Sequence, residues 1–205
     1  MFIKVNKDPL ILPFKDLMKV PVIIRLNKFN EEEAKKFTES MQQAHNTGQP
    51  VIPVCIDSYG GQVDALLSMM SDIDYSDLPV ATIGKGKSMS CGAILLSYGT
   101  EGYRIIEPNA RVMVHQISSA SWGKVDDMEA KIDEMKRLSK AVYRRMASRC
   151  GHEDKDYFLK LMKNNNNAEV YLSATQAKKH RIVDHLGSAE MQVDIKVDIG
   201  FEIVK

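Results

Sequence analysis

Three apolar runs of strand length, each followed by a stretch with helical periodicity, constrain the fold of this chain more than any other feature. The runs are "VPVIIRL" (20–26), "VIPVCID" (51–57) and "VATIG" (80–84), and they are rich in β-branched residues. Strands that are apolar on both faces and alternate with helices are typical of a parallel sheet covered on both sides. The sequence therefore predicts an α/β fold.

Capping residues predict where several helices begin and end. Asn30 precedes a helical stretch and is followed by acidic residues, as at a helix N-terminus. A long helix over 125–146 has apolar residues at helical spacing, and Gly151 is its expected C-cap. The last helix is expected to begin at Ser173, with Gln176 in the third helical position.

Composition excludes several classes of function. The 28 basic and 27 acidic side chains leave a net charge of +1, so nothing calls for a nucleic-acid or membrane-surface partner. No apolar run approaches the length needed to cross a bilayer, and no signal peptide is evident at the start. The three cysteines lack metal-ligand spacing. We expect a soluble cytoplasmic protein without a metal or another cofactor.

The segment "GKGKSMSCGA" (84–93) contains the letters of a phosphate-binding motif. Such a loop requires a first glycine five residues before Gly86-Lys87-Ser88, because its backbone N–H groups wrap the phosphates. That position is Ala81, whose Cβ disfavours the turn. We interpret the match as accidental and Ser88 as a turn residue.

The same segment fits a reactive serine better. A strand, a tight turn, Ser90, the small residues Gly92 and Ala93 and a buried helix follow one another in the order of a nucleophile corner. The Cys91 N–H could then be one oxyanion donor. A second donor could come from the Gly60-Gly61 turn after the 51–57 strand, although such a turn also serves simply as a helix entry.

A serine hydroxyl requires a base, and His115 is the histidine placed to act as one. It ends the apolar strand "RVMVHQ", where its orientation could be fixed, whereas the other four histidines lie on polar or C-terminal segments. A histidine at a strand end can also be purely structural. His115 is a candidate general base because the same chain also has a candidate nucleophile, Ser90.

Four segments together resemble the proteolytic subunit of the Clp protease, within the Clp-crotonase fold. They are "DSYGGQV", "GKSMSCGAILLSYG", "PNARVMVHQ" and "YLSATQAKKHRIVDHL", and the resemblance runs from about Val20 to Leu186. It implies stacked ββα units around a parallel sheet, and a serine endopeptidase that cleaves unfolded proteins or peptides. By this resemblance Ser90 is the nucleophile, His115 is the general base, and the backbone N–H groups of Gly61 and Cys91 are oxyanion donors.

The resemblance assigns the third catalytic residue less directly. The family usually has Asp before an aromatic-Leu-Ser-Ala segment, and this chain has Glu169 there, before Tyr171-Leu172-Ser173-Ala174. Glutamate can also accept the histidine N–H, so Glu169 is the expected orienting acid, with Asp184 as the second choice. The family's Ser-Pro-Gly-Gly turn has Tyr59 in place of proline.

Domain organisation and assembly also follow from the resemblance. We expect an N-terminal segment (1–19), a peptidase domain (20–187) with a protruding strand-helix handle (about 117–151), and a C-terminal tail (188–205). The family implies heptameric rings stacked as a tetradecamer through the handle, with an ATPase unfoldase as a possible partner. The apolar stripe of the long helix could instead be ordinary core.

Three alternatives to a general peptidase stay open at this stage. Glu169 at the aspartate position and the unusual N-terminus would suit a catalytically inactive structural or regulatory subunit. A specialised, phage-type maturation protease would keep the same chemistry. A crotonase-like acyl-CoA enzyme would share the paired oxyanion turns without needing the serine–histidine pair.

Overall fold

One mostly parallel sheet organises the described part of the chain. The structure is a computed structural model and describes residues 20–116, 125–166, 168–189 and 191. The strands are β1 (Ile24–Leu26), β2 (Ile52–Ser58), β3 (Val80–Met89), β4 (Arg104–Ile106), β5 (Arg111–Val114), β6 (Val170–Ser173) and β7 (His185–Leu186). The helices are α1 (Glu31–His45), α2 (Val63–Asp74), α3 (Cys91–Leu96), α4 (Val125–Arg149), α5 (Tyr157–Asn164) and α6 (Ala174–Lys179).

The sheet branches at β3. Strands β1, β2, β3, β4 and β7 are neighbours in that order and run parallel, while β5 pairs with the far end of β3. The β3 segment 82–84 pairs with β4, and the segment 87–89 pairs with β5. Strand β6 then adds to β5 in the antiparallel direction. This α/β architecture with a mostly parallel sheet confirms the predicted fold class.

Local hydrogen bonds fix the helix ends that the sequence predicts. The Asn30 side chain accepts the Glu33 N–H at 2.8 Å at the start of α1. The Ser173 side chain and Gln176 form a reciprocal capping box at the start of α6. Gly151 follows the end of α4 with a φ of +66°, as expected for a C-cap.

The third predicted strand is longer than expected. The prediction ended it at Gly84, but β3 continues to Met89 because β5 supplies a second parallel partner for its last three residues. The interpretation of Ser88 as a turn residue is therefore wrong. Ser88 lies within the strand, fully buried, opposite Ser58 of β2. The first strand is shorter than expected and begins at Ile24.

Helix α4 is buried at one end and exposed at the other. Near its C-terminus, Val142, Tyr143 and Met146 are buried in the core, whereas Ile132 is 46% exposed. Part of the apolar stripe is therefore not covered within the described chain. Residues 117–124 of the predicted handle, the predicted N-terminal segment and most of the predicted C-terminal tail lie outside the described residues. No helix in the described part of the chain could span a membrane.

Candidate active site

Ser90 occupies a strained corner between β3 and α3. Its φ of +56° and ψ of −119° lie outside the regions that L-residues usually adopt, which costs on the order of 1–3 kcal/mol. Its N–H donates to the Met113 carbonyl of β5 at 2.8 Å, so the corner is tied to the neighbouring strand. The six residues of α3 that follow are all buried. The backbone therefore holds Ser90 in place, and the residue is half-buried.

The parallel register of β3 and β5 brings His115 to Ser90. Met89 pairs with Met113, so the residues just beyond the carboxyl ends of the two strands lie side by side. The distance between His115 Nε2 and Ser90 Oγ is 2.8 Å, which is hydrogen-bond length. The Tyr143 hydroxyl of α4 donates to the His115 carbonyl at 2.6 Å. Main-chain and side-chain contacts together fix the histidine.

The Gly60-Gly61 turn packs directly against Ser90. Both glycines have positive φ, +103° and +152°. A Cβ on Gly60 would lie 2.8 Å from Ser90 Cβ, and a Cβ on Gly61 would lie 2.3 Å from the Phe29 carbonyl oxygen. Neither position can hold a side chain without a shift of the turn. The close approach of two backbones therefore explains why both residues are glycine.

Two backbone N–H groups lie at the turns that meet at Ser90. They belong to Gly61, in the glycine turn, and to Cys91, the first residue of α3. The Cys91 thiol donates to the Gly61 carbonyl at 3.3 Å and so links the two segments. Burial raises the pKa of this thiol, which keeps Cys91 protonated at neutral pH and unsuited to act as a nucleophile. The two amides are suited to binding an anionic oxygen.

The Glu169 carboxylate does not meet the His115 ring in this structure. The antiparallel register pairs Val114 with Val170, so Glu169 and His115 are the next residues along each strand. However, Glu169 is exposed, and its carboxylate accepts a hydrogen bond from the Tyr171 hydroxyl at 2.6 Å. Within the described residues, the His115 ring makes its one hydrogen bond to Ser90.

Asp184, the second choice for the orienting acid, pairs with Arg104 and not with His115. Its carboxylate accepts hydrogen bonds from the Arg104 guanidinium, at 2.9 Å from Nε, and from the Gly102 and Arg104 N–H groups. Burial opposes its ionisation, but the hydrogen bonds from Arg104 outweigh burial and lower the pKa of Asp184. Asp184 is thus engaged in a buried ion pair between β4 and the segment before β7.

Sequence interpretation missed two contributors to the site. Tyr143, which holds the His115 carbonyl, stands three residues before Met146, so helical spacing could have placed it on the buried face of α4. Lys87 forms an ion pair with Asp57 at 2.7 Å beside Tyr59. No pattern in the sequence signals this contact, because it depends on the pairing of β2 with β3.

The described residues contain no cluster of three or more histidine, cysteine or acidic side chains that could hold a metal ion. The site in the described part of the chain is thus built from a serine, a histidine and backbone amides.

The fold and a family comparison identify the class of protein. The α/β architecture with its mostly parallel sheet is consistent with a Clp-crotonase-like peptidase. A model of the Clp protease family matches residues 7–190, which is most of the 205-residue chain. The chain belongs to the Clp protease family. Members of this family are peptidases and typically form oligomeric rings.

Proposed function

We propose that the protein is a serine endopeptidase in which Ser90 is the nucleophile and His115 is the general base. The observation that carries the proposal is the 2.8 Å contact between His115 Nε2 and Ser90 Oγ at a strained strand-to-helix corner. A serine hydroxyl becomes a useful nucleophile when a base within hydrogen-bond reach can take its proton. Unfolded proteins and peptides are the substrates that such a site would cleave.

The proposed reaction follows two acyl-transfer steps. His115 Nε2 takes the proton of Ser90 Oγ as the oxygen attacks the peptide carbonyl, and the carbonyl oxygen becomes an oxyanion bound by the Gly61 and Cys91 N–H groups. The C–N bond then breaks, and His115 gives its proton to the leaving amine. Water attacks the acyl-serine with His115 again acting as base, which releases the acid and restores Ser90.

Glu169 is the proposed orienting acid for His115. The strand register supports this role, because Val114 pairs with Val170, His115 follows Val114 at the end of β5, and Glu169 precedes Val170 at the start of β6. Orienting the ring would require the carboxylate to exchange its hydrogen bond with Tyr171 for one with His115. An acid in this position holds the correct tautomer and stabilises the imidazolium that forms during the reaction.

The proposed working form is an oligomeric chamber of two stacked heptameric rings, with an ATPase unfoldase as a possible partner. The exposed half of α4 supports this proposal, since Ile132 on its apolar stripe is not covered by the described chain. The three cysteines are free and buried, which fits a reducing compartment such as the cytoplasm. A chamber would restrict cleavage to unfolded chains that can enter it.

An activated ester tests the proposed chemistry. Mixed with p-nitrophenyl acetate, the wild-type protein should release a burst of p-nitrophenol as Ser90 is acylated. Ser90→Ala and His115→Ala should each remove the burst and lower peptide hydrolysis by at least about 10⁴-fold. Ser88→Ala is the matched control, because this neighbouring hydroxyl is buried without a hydrogen-bond partner among the described residues. A full burst in Ser90→Ala would refute the proposal.

A non-catalytic ring subunit is the second candidate function. The observation in its favour is that the Glu169 carboxylate binds Tyr171, so the His115 ring has no second hydrogen-bond partner in the described chain. Such a subunit would release no more p-nitrophenol in the burst phase than the Ser90→Ala variant does. The ester experiment therefore separates the two candidates directly.

A further inference from the structure

The Gly60-Gly61 turn carries one of the two proposed oxyanion donors, although glycine has more backbone freedom than any other residue. Both glycines adopt positive φ, so their own covalent structure does little to fix the direction of the Gly61 N–H. An oxyanion donor is effective only when it points at the position that the oxyanion will occupy, at about 2.7–3.1 Å. The turn must therefore be held by its neighbours.

Two backbone hydrogen bonds hold the flanks of this turn. The Gly60 N–H donates to Ser58 Oγ at 3.0 Å, and the Gln62 N–H donates to the Phe29 carbonyl at 2.8 Å. Phe29 also forms an isolated parallel bridge with Gly61. These contacts come from β2 and from the residues between β1 and α1, so they fix the turn relative to that part of the sheet and not relative to the Ser90 segment.

The Cys91 thiol ties the turn to the Ser90 segment. Its Sγ donates to the Gly61 carbonyl at 3.3 Å. Cys91 is only 2% exposed, so water does not compete for this hydrogen bond. Burial also raises the pKa of the thiol, which keeps on the sulfur the proton that it donates. The residue whose N–H is one proposed oxyanion donor thus holds, through its side chain, the residue that supplies the other.

We propose that the Cys91 side chain is a positioning residue that sets the spacing of the two oxyanion donors. The inference rests on the proposed function, because it requires the Gly61 and Cys91 N–H groups to bind the oxyanion. It adds a role for a thiol that takes no part in bond making. Its hydrogen bond keeps the Gly61 peptide from rotating, so that both N–H groups converge on one oxygen atom.

Two substitutions at Cys91 separate the hydrogen bond from the packing of the sulfur. Cys91→Ala removes the donor, whereas Cys91→Ser loses a similar volume but keeps an O–H donor. In hydrolysis of a fluorogenic peptide, Cys91→Ala should lower kcat about threefold to tenfold and leave KM unchanged, because donor spacing matters in the transition state. Cys91→Ser should retain most of the wild-type kcat.

A transition-state mimic gives a readout that a loss of packing alone would not change. A peptidyl trifluoromethyl ketone forms a hemiketal oxyanion with an active serine, so its binding depends on both donors. Its inhibition constant should rise in Cys91→Ala by the factor by which kcat/KM falls.

Cys150→Ala is the matched control. Cys150 is also a free cysteine that is 2% exposed, but it follows the end of α4 instead of beginning α3. Its replacement should lower stability in urea through the lost packing and leave kcat, KM and the inhibition constant at their wild-type values.

The outcomes separate the inference from the proposed function. In a wild type that gives an ester burst, an unchanged kcat in Cys91→Ala, equal losses in Cys91→Ala and Cys91→Ser, or a loss confined to KM would each overturn the inference and leave the proposed function in place. A wild type with neither a burst nor peptide hydrolysis would contradict both. Circular dichroism checks folding, and Cys91→Val, which fills the site without a donor, replaces Cys91→Ala if that variant does not fold.

Discussion

The two sides of His115 are built differently. On the side of Ser90, a strained backbone corner, the Ser90 N–H bond to Met113 and the Tyr143 bond to the His115 carbonyl fix the positions of both residues. On the side of Glu169, the register of β5 with β6 places the Glu169 backbone next to the end of β5. Its exposed carboxylate, however, accepts a hydrogen bond from the Tyr171 hydroxyl. The Ser90 side is fixed by backbone geometry and by hydrogen bonds to the backbone, whereas the Glu169 side depends on a single side-chain rotamer.

This difference indicates which part of the site is preorganised. Moving the Ser90 backbone away from His115 would require a change in the pairing of β3 with β5, which is part of the core of the sheet. Moving the Glu169 carboxylate toward His115 requires rotation about exposed side-chain bonds and the loss of its hydrogen bond with the Tyr171 hydroxyl, but no change in strand pairing. We therefore expect substitutions on the Ser90 side to have large effects on activity and substitutions on the Glu169 side to have modest ones.

Apart from Ser90 and His115 themselves, the largest of these effects is expected at the glycine turn. In Gly61→Ala the new Cβ would meet the Phe29 carbonyl oxygen at 2.3 Å, so the turn must shift and carry the proposed oxyanion donor with it. Loss of one such donor lowers kcat by about 10²–10³-fold. Peptide hydrolysis by the purified variant, with its unfolding followed by circular dichroism, measures this effect.

Gly48→Ala provides the control for backbone strain alone. Gly48 has a φ of +79°, but a Cβ there would have nothing within 4 Å. This variant should lose about 1 kcal/mol of stability and keep its activity. If Gly61→Ala were as active as Gly48→Ala, the turn would not supply an oxyanion donor.

A smaller effect, an increase in kcat, is expected when Tyr171 is replaced. Tyr171→Phe removes the hydroxyl that occupies Glu169 and frees the carboxylate to accept the His115 N–H. An exposed hydrogen bond contributes about 0.5–1.5 kcal/mol, so kcat should rise by about twofold to tenfold. Steady-state kinetics of Tyr171→Phe and of the double variant with Glu169→Gln measure the change.

The double variant shows whether the rise in kcat expected for Tyr171→Phe depends on the Glu169 carboxylate. If the gain in Tyr171→Phe depends on the carboxylate, Glu169→Gln should cancel it. A gain that survives Glu169→Gln, or the absence of any gain, would remove Glu169 from the proposed mechanism while leaving Ser90 and His115 in place.

The smallest effect is expected at Ser88, the buried neighbour of the nucleophile. Its hydroxyl has no hydrogen-bond partner in the described chain, and a buried polar group without a partner is destabilising. Ser88→Ala should therefore raise the free energy of unfolding by about 1 kcal/mol and leave peptide hydrolysis unchanged. Urea denaturation of the wild type and the variant measures this difference, and a loss of stability would show that the hydroxyl has a partner after all.

The parts of the fold that depend on local interactions could be predicted from the sequence. The Asn30 and Ser173 caps are made by side chains within three residues of their backbone partners, so the local pattern is sufficient to identify them. The apolar runs likewise predicted the parallel sheet. The length of β3 could not be predicted in this way, because its last residues depend on β5, more than twenty positions further along the chain.

The same distinction applies to the candidate site. The order of strand, turn and helix indicated Ser90, and the strand-end position indicated His115; the structure places the two side chains in contact. The orientation of the Glu169 carboxylate could not be predicted, because it depends on an exposed side-chain rotamer that places it on the Tyr171 hydroxyl. Tyr143 was missed since its partner is a backbone carbonyl on a distant strand.

Labelling with a fluorophosphonate tests the central claim most directly, because the reagent reacts preferentially with a serine whose hydroxyl is activated by a base. Intact mass and peptide mapping of the wild type should show one adduct, located on Ser90, and none on Ser88. His115→Ala should retain Ser90 but react at least about 10³-fold more slowly, since the proton acceptor is gone. A wild-type protein that forms no adduct, or a His115→Ala variant labelled as fast as the wild type, would contradict the account.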